Sequence, residues 1–328
     1  MEKIAFIWGE TFVYWSPIIM VLGAAAAMAV YAGFYLIRNG NSIGVAFSSW
    51  LTVVLSFPLS RIIHWYCHTS AYENFIVAMT DYTTGGFALL GVFAAAILSA
   101  LLCKIFRISG NLPRMLDCMA LGGGVGIALG RLASLFNSSD RGMILSGEVG
   151  WPFAYATTNA VSGAIENRLA TFMIQSILTG AIVAGLIVYV ILKAVRKQKI
   201  QDGDLFMLFS MFYGACQIIC DSTRYDQLFF RSNGFVSIVQ IMSMGLLLLP
   251  LFLFSIRMVK GNGFRFWYLA IWLAILGLLG LAGYMEYYVQ RHGTEAVFAY
   301  SVMGISLAAV CILGLTTYNI QSYPKNPH

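Results

Sequence analysis

Leu121-Gly-Gly-Gly-Val-Gly-Ile-Ala-Leu-Gly130-Arg131-Leu-Ala-Ser-Leu-Phe136-Asn137 decides the fold class of this 328-residue chain. The run is apolar enough to bury itself in lipid, except for one guanidinium. A fixed charge at membrane depth costs roughly 2.5–3.5 kcal/mol on insertion scales, so such a residue marks a site of function. Gly122, Gly126 and Gly130 recur at four-residue spacing and share one helical face, where a neighbouring backbone can come close. A cation held in a tightly packed helix points to an anionic ligand.

Composition generalises the reading. Hydrophobic residues make up 59% of the chain and charged residues 10%, and the mean hydropathy is +0.77. A chain of this kind is a polytopic membrane protein. Nine apolar stretches are long enough to cross a bilayer, at about 13–37, 43–64, 86–106, 115–136, 170–192, 204–220, 235–256, 266–287 and 297–320. The fold class expected is therefore an all-α polytopic membrane helical bundle. The first stretch is too long for a signal-peptide core and follows Glu2, Lys3 and Glu10 instead of a basic segment, so it reads as a retained span. Pro58 predicts a kink in the second. The sixth, short and polar at its end, predicts a helix buried inside the bundle.

A formal charge of +6 does not indicate nucleic acid, because the basic residues sit in short loops between spans. With the N-terminus outside, the inner loops receive Arg38, then Lys104, Arg107 and Arg114, then Lys193, Arg196, Lys197 and Lys199, then Arg257, Lys260 and Arg265, and finally Lys325. The positive-inside rule thus predicts an outer N-terminus and a cytoplasmic C-terminus in the plasma (inner) membrane. Arg61, Arg131 and Arg224 then fall toward the outer side, as does the longest hydrophilic connection, Ser138 to Arg168. No metal or cofactor is expected. Cys216 and Cys220 share a helical face but lack His or acid partners, and His64, Cys67 and His68 lack a further ligand.

Three segments carry a resemblance. Asp117-Cys-Met-Ala120, Gly126, Gly130-Arg131-Leu132, Phe136-Asn137 and Gly142 form the first. The second is Phe212-Tyr213-Gly214-Ala-Cys-Gln217-Ile-Ile-Cys-Asp221-Ser-Thr-Arg224-Tyr-Asp226-Gln227, and the third is Val236-Ser-Ile-Val-Gln240-Ile-Met-Ser243. In order and topology they resemble the signatures of the prolipoprotein diacylglyceryl transferases, over about residues 13–260. The resemblance implies a seven-span transferase-like core at 1–260, with an outer loop at 138–168, and a two-span extension at 261–328. It also implies transfer of the diacylglyceryl group of phosphatidylglycerol, an anionic phospholipid, to the thiol of a lipobox-bearing preprotein. That chemistry needs cations for the phosphate leaving group and a base for the thiol.

On this resemblance Arg131, Arg224 and Arg61 are the phosphate-binding residues, supported by Asn137, Tyr213, Gln217, Gln240, Ser134 and Ser139. The chain departs from the family pattern at several positions. Gln217 stands for an arginine, Ala133-Ser134 for a Gly-Asn pair, Ser139 for a glutamate and Ser16 for a first-span tyrosine. Gly86 stands where the family has a histidine. His64 and His68, one helical turn apart, are candidate replacements for that base, and Asp221 is a candidate acid expected to pair with Arg224 on one helical face. Two functions compete: a diverged membrane transferase, or a non-catalytic lipid- or partner-binding protein whose last two spans bind another membrane protein. A transporter is disfavoured, because no internal repeat is found and the charges cluster on one side.

Overall fold

The computed structural model describes residues 4–9, 11–69, 72–80, 86–137, 140–145, 150–158, 163–225, 227–229, 236–292 and 295–322. It is an all-α membrane bundle carrying two small hairpins. Strands β1 (Ile4–Trp8) and β2 (Thr11–Tyr14) pair antiparallel and lead into α1 (Trp15–Ile37). There follow α2 (Ser42–Cys67), the short α3 (Phe75–Thr80), α4 (Leu89–Ile105) and α5 (Leu112–Gly130), which continues as a 3-10 turn over Arg131–Leu135. The antiparallel pair β3 (Ala154–Thr158) and β4 (Ile165–Leu169) precedes α6 (Thr171–Val195), α7 (Asp204–Ser222), α8 (Ile238–Asn262), α9 (Phe266–His292) and α10 (Ala296–Ser322).

Eight of the described helices are long and apolar enough to cross a membrane, and α4 is apolar but shorter. Each expected stretch has its helix. The sixth also has the expected environment, since 78% of its apolar window is buried against at most 44% for any other. Neither hairpin was expected: β2 lies at the start of the first apolar stretch, and β3–β4 lies in the long polar connection.

The chain forms two compact units, Met1–Phe209 with Thr223–Gly234, and Ser210–Ser222 with Phe235–His328. In the first, the glycine stripe of α5 packs on α1. A Cβ on Gly122 would lie 2.5 Å from the carbonyl oxygen of Ala27, and one on Gly126 would lie 2.8 Å from the Ala27 methyl. At the N-terminal end of α5, Asp117 is fully buried and accepts from Arg38 Nη1 and from the backbone N–H groups of Gly203 and Phe206, each at 2.9 Å. Arg38 also reaches Asp202 at 2.7 Å. A carboxylate at the first turn of α7 satisfies orphan N–H groups there, so Asp117 is a fastener between three segments.

Helices α2 and α4 cross at Gly91, where a Cβ would fall 2.1 Å from the Ser60 backbone nitrogen. Backbone cannot yield as a flexible side chain can. Gly91→Ala should therefore cost about 1–3 kcal/mol or more of overpacking and separate α2 from α4 beside Arg61. Its thermal midpoint in detergent should fall clearly below that of the wild type; an unchanged midpoint would show that the helices do not cross this closely.

In the second unit, Gly214 of α7 permits the same closeness to α8. A Cβ there would meet the Ser243 carbonyl oxygen at 2.6 Å and Leu247 N at 2.9 Å. The glycine of the second sequence motif is thus accounted for by helix packing.

Candidate functional site

Arg131 ends α5, and its charge is not alone. Its Nη1 lies 2.5 Å from Asp140 Oδ2, and Arg224 Nη2 lies 2.6 Å from Asp140 Oδ1. Ser134 Oγ also donates to Asp140 Oδ2, at 3.0 Å. Two guanidiniums therefore share one carboxylate, and the trio carries one net positive charge. Burial alone would raise the Asp140 pKa, but the neighbouring Arg131 and Arg224 charges overcome it and hold the carboxyl at about 2. Arg131 Nε is buried without a hydrogen-bond partner among the described residues, which leaves it a spare donor.

Backbone ladders bring the distant residues together. Met143 N–H donates to the Thr223 carbonyl at 3.0 Å and Tyr225 N–H to the Arg141 carbonyl at 2.9 Å, while Gly142 N–H donates to Leu169 O at 2.8 Å. Residues 141–143 are thus strung between the 223–225 segment and the end of β4. Gly142 is needed at that crossing, because a Cβ would lie 2.5 Å from Thr171 Oγ1 and 2.8 Å from Leu169 Cβ. Arg141 lies 4.8 Å from the Tyr155 ring centroid and donates to the Asn137 carbonyl at 2.7 Å. Asn137 in turn donates to Ser16 Oγ at 3.1 Å.

A second cluster gathers around Arg61 at the end of α2. The Arg61 side chain is fully buried and donates to the carbonyl oxygens of Ala78 (2.5 Å) and Gly86 (3.1 Å), with its guanidinium 5.0 Å from the Tyr72 ring centroid. Tyr72 Oη is 2.9 Å from His64 Nδ1, and the His64 and His68 rings stack at 4.8 Å. At Gly86, with φ +84°, a Cβ would meet Tyr72 Oη at 2.6 Å and His64 Cε1 at 2.7 Å. His64 and Tyr72 therefore fill the space into which any side chain at 86 would project.

The family model for prolipoprotein diacylglyceryl transferase matches residues 3–256. The chain belongs to the prolipoprotein diacylglyceryl transferase family. Similar proteins include the phosphatidylglycerol–prolipoprotein diacylglyceryl transferase of Lactococcus lactis subsp. lactis, 26% identical over 265 residues, or 80% of this chain and 97% of that one. The enzyme of the same name from Campylobacter lari is 26% identical over 269 residues, covering 76% and 92% of the two chains. That from Bacillus cytotoxicus is 25% identical over 281 residues, covering 80% and 94%. The match ends before α9 begins at Phe266.

Set on this transferase scaffold, the expected residues separate into groups. Arg131, Arg224 and Ser134 meet at Asp140, whereas Arg61 stands with His64 and His68 and turns its guanidinium to backbone carbonyls. α7 ends at Ser222, so Asp221 lies on the helix and Arg224 follows it in the ladder with Gly142. Asp221 accepts from Ser237 Oγ. Tyr213 and Gln217 are buried on α7, and Gln240 forms a capping box with Ser237. Ser139 lies outside the described residues. Asp140, Arg141 and Tyr72 were missed by sequence reading, although Asp140 and Arg141 lie beside Gly142 of the first motif.

Proposed function

We propose that this chain is an active transferase that moves the diacylglyceryl group of phosphatidylglycerol to a lipobox cysteine, with the phosphate held at Arg131 and Arg224. The observation that carries the reading is the convergence of both guanidiniums on Asp140, with a net charge of +1 and Arg131 Nε unpartnered among the described residues. The acceptor sulfur forms a C–S bond to the glyceryl carbon as the C–O bond to phosphate breaks, and the thiol proton goes to a base. A phosphodiester with one negative charge leaves as a phosphomonoester that gains a second. Cations fixed beside that oxygen stabilise the transition state more than the ground state.

His64 is the base in this reading. With Nδ1–H donated to the Tyr72 oxygen, Nε2 carries the lone pair that accepts the thiol proton. Support comes from Gly86: the position where the resemblance implies a histidine has no side chain, and the His64 ring stands where one would begin. Arg61 then acts as a positioning residue that fixes the Gly86 segment beside His64. The reaction is placed at the outer face of the plasma membrane, with the N-terminus outside and the C-terminus cytoplasmic.

The test uses purified full-length protein, labelled phosphatidylglycerol and a lipobox peptide. Wild type should form labelled thioether peptide with phosphatidylglycerol and not with phosphatidylethanolamine. His64→Ala should lower kcat by roughly 10²-fold or more, as loss of a general base does. Anionic lipid that co-purifies without any turnover would favour the lipid-holding reading and overturn this one.

A further inference from the structure

The two helices beyond the family match bring a buried carboxylate into the second unit. Glu286, on α9, is 9% exposed in a helix otherwise apolar enough to span a membrane. Its Oε1 accepts from Gln240 Nε2 and from Gln290 Nε2, each at 3.0 Å, and its Oε2 accepts from Ser222 Oγ. No cation pairs with it among the described residues; three neutral donors hold it. An intramembrane acid with named partners is a marker of function before it is a contributor to stability.

Its partners belong to the ends of the core helices. Ser222 is the last residue of α7, and its carbonyl, one of the orphan acceptors at a helix end, receives the Tyr300 hydroxyl of α10 at 3.1 Å. Gln240 is committed at both ends of its carboxamide, since Oε1 accepts from Ser237 N–H at 3.0 Å while Nε2 serves Glu286. Ser237 Oγ accepts from Gln240 N–H at 3.0 Å and donates to Asp221, the neighbour of Ser222. These bonds and the Asp221–Ser222 peptide link close a ring of Asp221, Ser237, Gln240, Glu286 and Ser222. Glu286 is the one member that α7, α8 and the N-cap of α8 do not supply. The ring fixes Ser222 and Ser237, the two ends of the connection that carries Arg224, two residues beyond Ser222.

We infer that the C-terminal helix pair is a working part of the transferase, with Glu286, aided by Tyr300, a positioning residue for the α7–α8 junction. The inference rests on the transferase reading above for its effect on turnover. The bonds themselves are its independent content. A carboxamide at 286 keeps an acceptor for the glutamines and gives Ser222 a donor, so Glu286→Gln should preserve the ring where Glu286→Ala breaks it.

The experiment uses the full chain in detergent or phosphatidylglycerol vesicles. Glu286→Ala should lower kcat roughly tenfold or more with KM changed much less, because orphaned donors displace the junction. Glu286→Gln should restore kcat to within a few-fold. In parallel, amide hydrogen exchange of peptides covering 218–225 and 236–242 should accelerate in Glu286→Ala and Tyr300→Phe while the middle of α10 stays protected. Unchanged exchange at the junction in both variants overturns the inference, as does wild-type turnover in a folded Glu286→Ala or a Glu286→Gln as impaired as Ala. If Glu286→Ala does not fold, Tyr300→Phe decides by the same two readouts. If wild type itself transfers nothing, the transferase reading fails, and the exchange arm alone decides whether Glu286 organises the junction.

Discussion

Arg131→Ala is expected to lower diacylglyceryl transfer by roughly 10²–10³-fold, the range seen when one preorganised donor to a developing anion is removed. Two features set the size. The Arg131 and Arg224 side chains are each only 12% exposed, so water replaces a lost guanidinium poorly. The trio also changes from a net charge of +1 to neutral, which removes attraction for the phosphate as well as for the charge that grows on it. KM for phosphatidylglycerol should therefore rise while kcat falls, and Arg224→Ala should behave alike. Arg131→Lys keeps the charge but loses the planar fork, and should recover only part of the rate. Steady-state kinetics with labelled lipid decide. A folded Arg131→Ala that turns over near the wild-type rate would remove the phosphate from this place.

The helices were legible because nine apolar runs have few other uses, and α7 was legible as an interior helix because its polar end distinguishes it. The pair of arginines on Asp140 was legible only in part. Arg131 announces itself as a charge in a span, but Asp140 lies past the 3-10 turn with φ +57° and gains meaning only when the 141–143 ladder brings Arg224 to it. No local pattern encodes that pairing. The Ser138–Arg168 connection reads as polar loop in the sequence because β3 and β4 are five residues each and alternate only weakly. The resemblance groups Arg61 with Arg131 and Arg224; the carbonyls of Ala78 and Gly86 that receive it come from a short helix and a turn that the hydropathy pattern does not show. Glu286 was hidden among Tyr284, Tyr287 and Tyr288, whose aromatic rings suffice to explain that helix end as an interfacial anchor.

Asp140 should be the most costly single residue to lose from this site. Asp140→Ala leaves two buried guanidiniums facing each other without their anion, and breaking a buried pair in this way costs about 3–5 kcal/mol. The pH dependence follows from the same charges. In the folded protein the Asp140 carboxyl is held at about 2 against an ordinary value of 3.8. A depressed acid contributes stability that is fully present above its unfolded pKa and disappears as pH falls through the folded one. The contribution is therefore about 2 kcal/mol near neutrality and fades between roughly pH 4 and pH 2. Asp140→Asn keeps the shape, removes the titration and turns an amide N–H₂ toward one guanidinium. Thermal midpoints measured in detergent from pH 6 downward should fall more steeply for wild type than for Asp140→Asn, so that the two curves converge at the acid end. The other carboxylates are common to both proteins, and the difference between the curves isolates Asp140. Parallel curves would mean that Asp140 gains nothing from its two arginines on folding. Removing Arg131 together with Asp140 should recover part of the loss, because the second deletion relieves the repulsion created by the first.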